Sequence, residues 1–170
     1  MNEQRVRLMS DEDVDQVYVW RNHPDVRQYM YSTHEIEWEE HLSWYEKAKS
    51  NTALTLLIYE DRGEPSGFVS FERLRCSKVA DWGFYLAPHS PAGSGSFMGR
   101  LALDYAFGEL LLHKICGQAL AFNERSIAFH RKLCFRDEGR LREQHFDGEE
   151  YHDVICFGLL GLEWKVGAMV

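Results

Sequence analysis

At 170 residues, 45% hydrophobic and 27% charged, the chain has the size and balance to bury a core without disulfide or metal staples. A formal net charge of -8 and a pI ≈ 5.5 exclude general nucleic-acid binding, which needs a basic face, but leave room for a local basic patch against phosphate. The start, Met-Asn-Glu-Gln-Arg-Val-Arg, lacks the apolar core of a signal peptide, and no run approaches ~18 apolar residues, so a cytoplasmic protein without membrane contact is expected. Cys76, Cys116, Cys134 and Cys156 show no CxxC spacing and no clustering with histidine, which predicts free, mostly buried thiols and no metal.

Gln4 to Met9 reads as a strand. Ser10-Asp-Glu-Asp13 has the form of a capping box, followed by Val14, Val17 and Tyr18 at helical spacing. Pro24 breaks that helix and starts a short one through Arg27 to Met30. Ser32-Thr-His-Glu35 is a second capping signal, before a helix to Ser50 whose apolar stripe is Trp38, Leu42, Tyr45 and Ala48, flanked by Ile36 and His41. The period then changes to two. Ala53 to Glu60 and Gly67 to Arg73 are strands joined by the polar turn Asp61–Ser66, and Val79 to Ala87 is a third. A glycine turn, Ser90-Pro-Ala-Gly-Ser-Gly95, precedes a helix from Ser96 to Leu112 with Phe97, Leu101, Tyr105 and Leu112 on one face. Ile115 to Phe122 is a strand and Glu124 to Leu133 a helix. Arg136 to Gln144 and Tyr151 to Leu160 are strands joined through Asp147-Gly148. The order predicts one α/β domain, residues 1–170, with a mixed sheet.

Gly93 and Gly95 open a helix just after a strand. A helix start offers unpaired N–H groups and positive dipole charge, and glycine lets backbone approach closely, so this turn is a natural pyrophosphate seat. It is also readable as a flexible loop. It is neither a Walker loop, lacking Gly-Lys-Ser/Thr, nor a full Rossmann fingerprint, lacking the third glycine. Upstream, Trp20-Arg-Asn-His-Pro-Asp-Val-Arg-Gln-Tyr-Met-Tyr-Ser32 sits at the helix break. Arg21 and Arg27 offer forked donors to phosphate, and Tyr29, Met30 and Tyr31 offer surfaces for a base or sugar.

Strand, Gly93-Ser-Gly95, helix, strand and then Asn123-Glu-Arg-Ser126 resembles the GNAT superfamily of N-acetyltransferases over nearly the whole chain, with Ser90 where that family usually has Gln or Arg. The resemblance implies a single-domain GNAT (acyl-CoA N-acyltransferase) fold: a mixed, mostly antiparallel sheet of about seven strands flanked by helices and splayed between the fourth and fifth. It implies acetyl-CoA as co-substrate. The backbone of Trp82–Leu86 (Phe84, Tyr85 and Leu86 within it) would pair with the pantetheine arm. Gly93, Ser94, Gly95, Ser96 and Phe97 would hold the pyrophosphate, and Asn123, Arg125, Ser126 and Phe129 would contact the cofactor from the other half of the site.

Acyl transfer needs a neutral amine, a polarised carbonyl and a stabilised leaving thiolate. The family supplies the last through a tyrosine where this chain has His130. A reference pKa of ~6.5 against ~8.5 for a thiol makes imidazolium a competent acid, so His130 is expected to protonate the thiolate. Ser70 and Gln118 are expected to hold a water that relays the amine proton, with Glu72 as the alternative carboxylate base. The Arg-Asn-His-Pro…Met-Tyr-Ser segment, with Asn123–Phe129 and Glu138–Arg142, resembles the branch that N-acetylates UDP-4-amino-4,6-dideoxy-N-acetyl-altrosamine in pseudaminic acid biosynthesis, the route to flagellin glycosylation. That implies a UDP-amino-sugar acceptor touched by Arg21, Asn22, Met30, Tyr31, His41 and Arg73, in a monomer or homodimer. Two alternatives stay open: a ribosomal-protein-type N-terminal acetyltransferase, and a non-catalytic acyl-CoA sensor.

Overall fold

A computed structural model describes residues 4–75 and 78–167; Cys76 lies outside them. Contacts group the chain into two units, residues 1–72 with 83–102, and residues 73–82 with 103–170. The strands are β1 (Gln4–Leu8), β2 (Leu54–Asp61), β3 (Glu64–Arg73), β4 (Val79–Leu86), β5 (Lys114–Leu120), β6 (Arg136–Phe146) and β7 (Tyr151–Leu160). The helices are α1 (Val14–Asn22), α2 (Pro24–Arg27), α3 (Trp38–Ser50), α4 (Ser94–Gly108), α5 (Glu124–Lys132) and α6 (Gly161–Gly167). The sheet is mixed and mostly antiparallel, as expected, and β4 is the strand common to both units.

In the first unit β1 pairs with β2 and β2 with β3, both antiparallel. The β2–β3 turn is tighter than the expected Asp61–Ser66 loop. Arg62 and Gly63, at φ 54 and 84, make the two-residue turn, and Asp61 pairs with Glu64. The capping box forms: Asp13 Oδ2 accepts the Ser10 N–H at 2.8 Å, and Arg7 grips the same carboxylate with two N–H groups at 2.7 and 2.8 Å. The core gathers Val17, Trp20, Ile58, Phe68 and Ala87, with Trp44, Leu56 and Tyr85 at its edge.

The other caps and faces need correction. The Ser32–Glu35 signal starts no helix; α3 begins at Trp38 with Glu37 as N-cap. Its buried stripe is His41, Tyr45 and Ala48, whereas Leu42 is exposed. Of the expected face after the glycine turn, Phe97 is 50% exposed, Leu101 and Tyr105 are half-buried, and Leu112, beyond the end of α4, is buried. The buried face of α4 is Met98, Ala102, Leu103, Ala106 and Phe107. In the first unit, Gly67 makes room for this helix: a Cβ there would lie 2.7 Å from Met98 Sδ.

In the second unit β4 runs parallel to β5 over three pairs, Val79↔Lys114 to Asp81↔Cys116, as a β–helix–β crossover requires. The apolar strand β7 lies between β5 and β6, which makes it an interior strand and β6 the edge. α5 ends in a Schellman motif: Phe135 N–H donates to His130 O and Cys134 N–H to Arg131 O, both at 3.0 Å. That motif puts Cys134 at φ 67, exposed, and Phe135 in the core, so the aromatic stop is a helix terminator. The thiols are less buried than expected: Cys134 is exposed, Cys116 and Cys156 half-buried. α6, too short to announce itself in sequence, is tied back by Trp164 Nε1–H to Asp104 at 2.8 Å. Among the described residues no helix is long and apolar enough to cross a membrane.

Candidate active site

The glycine turn opens the fifteen-residue helix α4. Gly93 has φ 92 with nothing within 4 Å of where a Cβ would stand, so its backbone is open on that side. Ser94 is buried, Gly95 and Ser96 half-buried, and Phe97 exposed. Ser90, in place of the family's longer side chain, donates its hydroxyl to Ser66 O at 2.7 Å and ties the turn to β3. Phe84, Tyr85 and Leu86 are half-buried on β4.

At the end of α1, Arg21 is half-buried. Its Nη2–H donates to Ser32 O at 2.9 Å, while Nη1 is buried without a hydrogen-bond partner. Desolvation lowers the Arg21 pKa, opposed through space by Tyr85 and Glu40. Burial raises the Tyr85 hydroxyl, with the Arg21 charge opposing it. Arg27 reaches Glu35 at 3.6 Å. Met30 is half-buried and Tyr31 54% exposed in the loop beyond.

Two of the expected acceptor contacts are engaged within the protein. Asn22 uses both ends of its amide on Ile36, donating Nδ2–H to Ile36 O at 2.9 Å and accepting Ile36 N–H at 2.8 Å. His41 is 3% exposed, donates Nε2–H to Val14 O at 3.0 Å and packs on Trp44 and Tyr18. Burial, then the Arg21 charge, keep it neutral by lowering its pKa. It is a packing residue. Ser70 and Glu72 share one face of β3 with buried Phe68. Ser70 Oγ stands 3.5 Å from Gly83 O, a long contact, and Glu72 is exposed. A surface concavity of ≈ 630 Å³ between α1 and the Pro88–His89 loop contains none of the expected residues.

In the second unit Asn123 is the N-cap of α5, its Oδ1 accepting Ser126 N–H at 3.0 Å. Arg125 is exposed, Ser126 and Phe129 half-buried, Gln118 exposed on β5 and Arg73 half-buried at the end of β3. Asp147, Glu150 and His152 come within metal-ligand reach of one another, but Asp147 is already the acceptor for Glu149 N–H, Glu150 N–H and His152 in the hairpin turn.

His130 lacks the surroundings of the acid the sequence suggested. It is 1% exposed and stacked on Phe157 at 4.5 Å. The Trp82 indole N–H, a donor only, points at His130 Nε2 at 3.1 Å, so that nitrogen holds a lone pair. The proton therefore sits on Nδ1, which donates to Ser126 O at 2.8 Å. Burial lowers the pKa, the Ser126 bond opposing it in part. A neutral ring with both nitrogens engaged has no proton for a thiolate. Gly117 completes the cluster, since a Cβ there would lie 2.5 Å from His130 Nε2 and 2.8 Å from Trp82 Nε1.

Residues 5–136 match the model of the acetyltransferase (GNAT) domain. The chain belongs to that family. It is an N-acetyltransferase, with acetyl-CoA as co-substrate, and the open glycine turn at the start of α4 suits that molecule's pyrophosphate. It is 31% identical over 127 residues, 72% of this chain and 71% of the relative, to an uncharacterized prophage N-acetyltransferase, YokL, of Bacillus subtilis. Acetyltransferase PseH of Campylobacter jejuni is 24% identical over 75% of this chain and 79% of its own. Spermidine N(1)-acetyltransferase of Escherichia coli is 26% identical over 89% of this chain and 82% of its own. The crystal structure of Vibrio cholerae spermidine N-acetyltransferase with CoA and spermine superposes with a TM-score of 0.88, at 24% identity, over 97% of this chain and 99% of that one.

Proposed function

We propose that this enzyme acetylates the 4-amino group of a UDP-linked amino-deoxy sugar, the amine attacking the thioester of acetyl-CoA directly. Arg21 carries the reading. Its Nη1 is desolvated, lacks a hydrogen-bond partner, and meets Glu40 only through space. A desolvated guanidinium favours an anion, and its forked donors suit a diphosphate. The same charge repels a polyamine, the acceptor named for the spermidine acetyltransferases. Met30 and Tyr31 would flank the nucleotide, Arg73 would add charge, and Ser70, Gln118 or Glu72 would hold the water that takes the amine proton. With His130 neutral, the thiolate leaves unassisted or takes its proton from water.

Thiol release from acetyl-CoA, followed with a UDP-4-amino-sugar, spermidine and ribosomal-protein N-terminal peptides as acceptors, tests this directly. Turnover of the sugar is expected, and Arg21→Gln should raise its KM about 10- to 100-fold, the range of a lost charged hydrogen bond, with CoA affinity unchanged. Preferential turnover of spermidine or of the peptides refutes the reading. CoA binding without turnover on any acceptor favours the sensor alternative.

A further inference from the structure

Residues 28–37, between α2 and α3, form neither helix nor strand, so their backbone groups need partners from elsewhere. Carbonyls of α2 take the first N–H groups, Tyr29 to Val26 O at 3.2 Å and Met30 to Arg27 O at 3.0 Å, and the last two residues of α1 hold the chain further on. Arg21 holds Ser32 O at 2.9 Å, and Asn22 exchanges two bonds with Ile36, at 2.9 and 2.8 Å. The Asn22 amide fits in one orientation only, because turning it over would set N–H against N–H and oxygen against oxygen. It acts as a one-residue strand partner for the loop. Between Ser32 and α3 the loop is tied further by Ser32 Oγ to His34 Nδ1 at 2.6 Å and His34 Nε2 to Glu40 at 3.2 Å. Before Ser32, Tyr29 and Tyr31 are 42% and 54% exposed and Met30 is half-buried.

We propose that Asn22 is a positioning residue for the acceptor: its bridge to Ile36 sets the course of the 28–37 loop, and with it the places of Met30, Tyr31 and the Ser32 carbonyl that orients Arg21. Asn22 need not touch the substrate. Its two polar ends are committed to Ile36, and its effect passes through the loop and Arg21. Both of its amide bonds run to Ile36, not to β4 or α4, where the donor half would be built. Loss of the bridge therefore weakens acceptor binding and leaves the chemical step and CoA binding as they were. The inference rests on the reading that this loop borders the acceptor.

The test compares wild type with Asn22→Ala and with Asn22→Gln, whose amide carries the same two groups one methylene further out. Chymotrypsin is expected to cut Asn22→Ala faster at Tyr29 and Tyr31. Its acceptor KM should rise about tenfold, with kcat and CoA Kd within twofold of wild type. Asn22→Gln should recover part of both effects. Should the alanine variant fail to fold, the glutamine variant carries the comparison. A KM equal to wild type despite faster cleavage overturns the proposal, as does unchanged cleavage. If wild type prefers spermidine, the nucleotide-sugar reading fails, and the Asn22 effect is then decided on the spermidine KM.

Discussion

Replacing His130 by alanine is expected to cost stability and to spare the chemistry. The substitution strips the acceptor from the buried Trp82 N–H, a penalty of about 1–3 kcal/mol. It also removes the ring stacked on Phe157 at 4.5 Å, worth about 0.5–1.5 kcal/mol. The void left is close to that of an aromatic truncation, for which about 3–5 kcal/mol is usual, and this range takes in the other two losses. At about 2–4 °C per kcal/mol for a chain of this size, Tm should fall by roughly 6–20 °C. His130→Gln, which offers an acceptor and a donor at similar reach, should lose about 1–2 kcal/mol. Thermal melts give the first quantity. Thiol-release kcat, measured well below each Tm and from pH 6 to 9, gives the second. Expected is a kcat within about fivefold of wild type and an unchanged profile, since a neutral, doubly bonded imidazole donates no proton. A His130→Gln variant that melts like wild type, yet loses about 100-fold in kcat together with one limb of the profile, refutes the argument and restores the histidine as general acid.

Gly117→Ala should destabilise by about 1–3 kcal/mol, because a Cβ 2.5 Å from His130 Nε2 meets a ring held on three sides; urea unfolding measures it, and a change under ~0.5 kcal/mol would show that the cluster can yield. Cys134→Gly should stabilise by roughly 1 kcal/mol, raising Tm by about 2–4 °C, because the residue sits exposed at φ 67 where glycine meets no Cβ penalty. Stability should also fall on mild acidification. His130 and His41 both have folded pKa values below their unfolded ~6.5, so as pH drops past ~6.5 the unfolded chain takes up protons first. Each ring adds a slope of up to ~1.4 kcal/mol per pH unit, and His130→Gln should remove its share when melts at pH 8 and pH 5.5 are compared.

What the sequence revealed follows the range of the interaction concerned. Asn123 bonds Ser126 three residues on, and Ser10 bonds Asp13 at the same separation, so both caps are written in adjacent letters. Gly93 could be read for the same reason, since its left-handed backbone is a local demand. The fate of His130 was hidden, because its partner Trp82 lies 48 positions away and nothing near 130 announces an indole N–H. The Ser32–Glu35 signal misled because a capping sequence is equally at home in a loop. There Ser32 bonds His34, and Ile36 is held from 14 residues upstream. The face of α4 was misjudged because apolar residues lie nearly all round it: Leu101 and Tyr105 are half-buried beside the fully buried Met98, Ala102, Leu103 and Ala106, so the pattern alone does not single out one side.

Acceptor choice in this family has to come from outside the donor half, since acetyl-CoA is common to its members. On the proposed reading that choice rests, in the first unit, on the end of α1 and residues 28–37. Here they present a desolvated guanidinium and exposed tyrosines together with the exposed carboxylates of Glu35 and Glu37. A protein with a formal charge of -8 gains nothing from a general field toward an anion. On the proposed reading the attraction is local and short-ranged, and Arg21 meets that condition: low solvent exposure at Nη1 strengthens its pull at contact, and Glu40 reaches it only through space. A polyamine would draw on Glu35, Glu37 and Glu40 instead, and what opposes it on this reading is the desolvated cation of Arg21 beside them.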